Sequence, residues 1–280
     1  MIVQARLPSS ARSAGGPARH VPALFFALTA VLSLPFLILG ALVDTPEGAV
    51  VDLPLSALQV FAPFLAAILL VLRESGWRGV GRLIADALDV RRLRSARVLV
   101  PLALIMPMIY FASYGIMRLA GRQLPGFEFS VTAAVVLLVM FLLSGFFEEV
   151  GWTGYALEPL RQRLGYLGAA LVIGVVWALF HVPADLQGDR DLEWIAWYRL
   201  ASVMLRVVIV WAYLVTGRAL AAAILVHATD NLSWSLFPVG GSHYDPLFMA
   251  PVSVAVAAVL VFTAFPAWSP PRENRASRLS

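Results

Sequence analysis

Apolar residues in this chain do not alternate with polar ones; they run in long uncharged blocks separated by short charged segments. A membrane-spanning helix needs about 20 mostly apolar residues, and eight segments are candidates. The clearest are Val21 to Val43, Leu53 to Leu72, Val98 to Met117 and Leu247 to Ala267. Leu200 to Val215 is shorter and carries Arg206. Three more begin near Val131, Tyr166 and Ala219 and carry Glu148, Glu149, His181, His227 and Asp230. The expected fold is all-α: a polytopic membrane protein of about eight transmembrane helices around a buried polar site. A membrane barrel would instead alternate polar and apolar positions along each strand. The spanning domain is expected over 21–267, between flexible cytoplasmic tails at 1–20 and 268–280. The first span exceeds the ~7–15-residue core of a signal peptide and reads as an uncleaved anchor. Trp77 to Val90 fits a short helix lying on the membrane or a solvated basic connector equally well.

Composition sharpens this picture. Of 280 residues, 60% are hydrophobic and 14% charged, against ~45–50% apolar in a soluble domain. That leaves no room for a sizeable soluble domain. With no Cys there is no disulfide frame, thiolate metal site or Cys nucleophile. The pI is near 9.8 and all 21 basic residues are Arg. Most of them lie in loops beside the spans, where lipid headgroups and topology account for them. The bilayer is therefore the expected partner, and nucleic acid is not. Arg6, Arg12 and Arg19 precede the first span, and Asp44, Glu47 and Asp52 follow it. Arg-rich short segments stay cytoplasmic, so the N-terminus reads as inside. The Arg-rich stretch Arg73 to Arg97 also falls inside. The acidic stretch Val182 to Arg199, with Asp185, Asp189, Asp191 and Glu193, falls outside as a solvated loop. Eight spans then place both termini in the cytoplasm, in the cell membrane of a prokaryote.

Ionisable groups inside spans cost roughly 2.5–3.5 kcal/mol or more each, so they face cavities and mark function. Here Glu148 and Glu149, then His181, then His227, Asp230 and Asn231 follow on three successive segments. If the chain turns between Leu160 and Gly165, Glu148 and His181 lie about 24–26 Å from the turn along antiparallel helices, at similar depth. That requires the fourth helix to continue past the glutamates through Trp152, Tyr155 and Leu157. His227 and Asn231, four apart, share a helix face. A recessed start or a tilt must bring the seventh helix to the same depth. Glu148 or Glu149 can take a proton from water, one His can orient that water, and a second His with an Asn amide can stabilise an oxyanion. The inventory suits amide hydrolysis. His and carboxylate are also ordinary zinc ligands, although no HExxH helix is present.

EEVGWTGYALEPL, WALFH and HATDN resemble, in order, the three motifs of the CPBP intramembrane peptidases, over about 131–236. That family includes type II CAAX prenyl endopeptidases and bacteriocin-processing or immunity proteins. The resemblance implies an eight-helix core and an endopeptidase acting on a peptide or membrane-protein substrate. It implies Glu148 as the base that activates water, His181 as its partner, and His227 with Asn231 as oxyanion stabilisers. Glu149 is the motif's second carboxylate. The implied mechanism requires no cofactor, with zinc left open. One departure stands out: the first motif is EExxxR, and Thr153 occupies the Arg position. Arg206, alone in LASVMLRVVIVWAY, is the candidate replacement. Trp177 stands where Phe is usual. Asp230 either pairs with Arg206 or lines the cavity. Two other readings use the same residues: a catalytically impaired immunity or scaffold protein, favoured by Thr153, and a proton-coupled transporter.

Overall fold

The computed structural model describes residues 22–43, 54–264 and 268. The two expected tails, apart from Trp268, and the acidic turn after the first span lie outside the described residues. All regular structure among the described residues is helical: α1 (Pro22–Leu42), α2 (Phe61–Ala87), α3 (Ala96–Leu119), α4 (Val131–Glu149), α5 (Leu157–Gln187), α6 (Leu192–Val215), α7 (Leu220–Ser235) and α8 (Pro246–Thr263). In hydrocarbon each backbone group must be satisfied within its own segment, which a helix achieves. Among the described residues, six helical stretches are long and apolar enough to cross a membrane. One of them runs from Val131 to Gln187 through α4 and α5, and α7, at 16 residues, is shorter than a full span. The multi-pass all-α fold stands, with eight α-helices among the described residues.

Large apolar side chains cover the outside as well as the core, and a few ionisable groups gather within that core. Val31, Met108 and Phe262 are 60%, 67% and 79% exposed, while Glu148, Glu149, Arg206 and His227 are at most 2% exposed. α6 is central, packing against α5, α7 and α8, and α7 also lies against α3 and α4. α5 and α6 approach closely because Gly174 faces α6: an added Cβ would stand 3.2 Å from Val203 Cα and Arg206 Cβ. Small residues at helix contacts permit this proximity, and close packing holds helices together where lipid supplies no hydrophobic drive.

Helix ends and turns follow local chemistry. Ser130 caps α4 through Ala133 N, and Asp191 caps α6 through Trp194 N at 2.8 Å, each satisfying an orphan amide. α6 therefore begins earlier than the Leu200 expected from hydropathy. α5 likewise continues through Pro183 to Gln187. Asp185 is thus not in a solvated loop. It lies on α5, and Arg199 of α6 donates to it at 3.0 Å. Burial of both partners corrects the sequence expectation, because a low-exposure carboxylate is tolerated when an Arg meets it in a two-pronged geometry. Trp77 to Ala87 is helical and set off from the rest of α2 by a kink at Gly76.

Between α4 and α5 the chain does not break. Val150–Ala156 forms a π-helical turn, so the fourth helix continues past the glutamates. The reversal comes at Gly165, whose φ of 70° is open to glycine at little steric cost. Gly151, inside the π turn, presses on α2: an added Cβ would lie 2.5 Å from Pro63 O and 2.7 Å from Pro63 C. Backbone cannot step aside as a side chain can. Gly151→Ala is expected to cost about 1–3 kcal/mol, read as a lower thermal unfolding midpoint in detergent. An unchanged midpoint would show that the π turn and α2 are not in register contact.

Candidate active site

The two adjacent glutamates have different surroundings. Glu149 is enclosed: Arg206 Nη1 donates to its two oxygens at 2.9 and 2.7 Å, Thr153 Oγ1 donates at 2.5 Å, and His227 Nδ1 lies 2.8 Å away. A carboxylate accepts at roughly four lone-pair sites, so little of Glu149 remains for a substrate. Arg206 comes from α6, not from the position four residues after Glu149, and lies fully buried. Thr153 supplies the hydroxyl from that position instead.

Glu148 faces a cavity of about 420 Å³, which His181, His227, Asp230 and Asn231 also line. Its Oε2 accepts from Trp177 Nε1 at 2.6 Å. Its Oε1 stands 3.8 Å from His227 Nε2, too far for a direct hydrogen bond and near enough for one water to bond both.

The histidines are oriented from behind. His227 turns Nδ1 to Glu149, so a proton on Nδ1 is held there and Nε2 is presented to Glu148 and the cavity. A carboxylate behind an imidazole fixes its tautomer and orientation in this way. His181 Nδ1 lies 2.8 Å from Trp177 O; since a carbonyl only accepts, Nδ1 carries the proton and Nε2 keeps its lone pair. The contact to Glu148 across α4 and α5 therefore comes from Trp177, and His181 follows one helical turn, about 6 Å, further along the same cavity.

Trp177 ties the site together. Its indole N–H meets Glu148, Arg206 lies 4.5 Å over its ring, and the His181 and His227 rings pack edge-on at 5.1 and 5.4 Å. The sequence signal was its position four before His181, hence on one helix face, but a Phe-to-Trp exchange does not by itself reveal a donor. Asp230 lies beside the Tyr110 hydroxyl at the cavity edge, while Arg206 goes to Glu149. Asn231 is half-buried on the cavity wall. Ahead of α7 the chain turns tightly: Gly217 and Arg218 take positive φ, and Arg92 donates to Gly217 O.

Among the described residues, no three His, Asp or Glu side chains are arranged to hold a metal ion. Glu149 itself has no place for a dication, since Arg206, Thr153 and His227 already occupy its oxygens.

Residues 130–233 match the family model described as type II CAAX prenyl endopeptidase Rce1-like. CAAX prenyl protease 2 of Methanococcus maripaludis is 25% identical over 237 residues, covering 79% of this chain and 86% of that protein. The resemblance carried by the three motifs is borne out: across the helices that build the site, this chain is similar to the type II CAAX prenyl endopeptidases.

Proposed function

We propose that the protein is a membrane-embedded endopeptidase in which Glu148 activates water for attack on a peptide bond. The observation that carries this reading is the division of labour between the glutamates: Glu149 is saturated, while Glu148 Oε1 faces the cavity opposite His227 Nε2. Glu148 takes one proton from the water, and the oxygen adds to the substrate carbonyl. His181 Nε2 accepts the water's other hydrogen and orients it. His227, its Nδ1 proton held by Glu149, presents Nε2 to the oxyanion when protonated, and the Asn231 amide donates from one turn along α7. Glu148 then returns its proton to the leaving amine as the tetrahedral adduct collapses. Glu149, Arg206 and Thr153 are positioning residues that act through His227.

The relative's name supports a peptide carrying a CAAX end and a prenyl chain as the substrate class. The same proposal sets the chain in a prokaryotic cell membrane with both termini cytoplasmic. The impaired-enzyme reading rested on Thr153. Arg206 supplies the missing charge from another helix, which favours an active peptidase.

Trp177→Phe tests the site's geometry. Phe keeps the ring beneath Arg206 and removes only the donor to Glu148. A hydrogen bond to a charged group contributes about 1.5–3 kcal/mol, so kcat is expected to fall roughly ten- to a hundredfold with KM little changed. Steady-state cleavage of a prenylated peptide by the reconstituted protein reads this. A rise in KM alone would assign Trp177 to substrate binding and not to holding Glu148.

A further inference from the structure

Gln59 belongs to the 3-10 turn Leu55–Val60, ahead of α2, and lines the same cavity as Glu148. It is 1% exposed, and neither Oε1 nor Nε2 has a hydrogen-bond partner in the protein. Buried side-chain amides are ordinarily bonded, so a doubly unpaired one needs a reason. Trp234 Nε1 on α7, from another residue of the cavity wall, is likewise buried without a partner.

The occupant must offer both a donor and an acceptor to Gln59. An isoprenoid tail has neither and would leave the amide unpaired. An extended peptide offers N–H and C=O groups in alternation on both edges, the pattern used when a strand is bound through its main chain. A primary amide carries a donor and an acceptor side by side and matches that pattern. We infer that Gln59 is a substrate-binding residue whose side-chain amide pairs with the main chain of a peptide lying extended in the cavity. In the sequence Gln59 sits within a plain apolar span and belongs to no motif.

The inference rests on the peptidase reading, and binding separates the two. A fluorescent farnesylated peptide ending in a CAAX sequence, with the same peptide lacking farnesyl in parallel, is titrated onto Glu148→Gln in nanodiscs. Analogues in which one main-chain N–H at a time is replaced by an ester oxygen follow. The titrations are repeated with Gln59→Leu and with Gln59→Met added, each checked for an unchanged unfolding midpoint. Gln59→Leu and Gln59→Met are expected to weaken binding about tenfold, the scale of a paired hydrogen bond. One ester analogue should lose the same factor against Glu148→Gln and nothing further against the double variants. Equal binding by all proteins, or ester losses that ignore residue 59, would overturn the inference and leave the amide holding water only. No binding by either peptide would overturn it too. Absent cleavage by wild type, with Gln59-dependent binding intact, would sink the peptidase reading and keep Gln59 as a peptide-binding residue.

Discussion

Glu148→Gln is expected to lower cleavage of a membrane-delivered peptide by roughly 10²–10⁴-fold, the usual range for removing a general base, while the unfolding midpoint stays near that of wild type. The exchange is isosteric. The Gln carbonyl still accepts from Trp177 Nε1, and no ion pair of Glu148 is broken beyond the 3.8 Å approach of His227. What disappears is the basic oxygen facing the cavity. Glu149→Gln, one residue along, is expected to behave differently: it leaves Arg206 without its anion and loosens His227. Its damage should appear in stability as well as in rate. Proteoliposome assays on both variants, paired with unfolding curves, separate the catalytic from the positioning glutamate. Wild-type rates from Glu148→Gln would end the proposed mechanism.

The spans and the identity of the polar groups were legible because both are single-residue properties: an uncharged run must cross lipid, and a charge within one must be explained. The antiparallel placement of α4 and α5 followed from one glycine, Gly165, at the expected reversal. Register was not legible. Which α5 side chain reaches Glu148 depends on how far the π turn Val150–Ala156 re-phases the helix, and the pair Gly151 and Gly154 was its only local signal. π turns of this kind recur at functional sites. The result is that Trp177, not His181, bonds Glu148. Asp185 was misread for a related reason. Hydropathy ends a helix at the first acidic residue, whereas Arg199, fourteen positions on, neutralises it from a neighbouring helix. Partner choice between helices is a tertiary property, and spacing within one segment does not encode it.

Arg206 carries the largest expected structural effect. Its guanidinium is fully buried, meets Glu149 at 2.7 Å and lies over Trp177. Removing one partner of a buried pair leaves an uncompensated charge and costs about 3–5 kcal/mol. Arg206→Leu should therefore fold poorly and lose activity, since Glu149 would no longer be held against His227. Arg206→Leu combined with Glu149→Leu should recover much of the stability and none of the activity, because an apolar pair needs no compensation but cannot orient an imidazole. The decisive variant is Arg206→Leu with Thr153→Arg. It moves the charge to the position four residues after Glu149, where Thr153 Oγ1 already touches the carboxylate, and the vacated α6 side gives the longer chain room. Partial return of both unfolding midpoint and cleavage is expected. That recovery would mean the site needs one guanidinium on Glu149 and is indifferent to the helix that delivers it. A loss below about 1 kcal/mol from Arg206→Leu alone would place the pair among ion pairs that contribute little, and the role of Glu149 as an oriented anion behind His227 would fall with it.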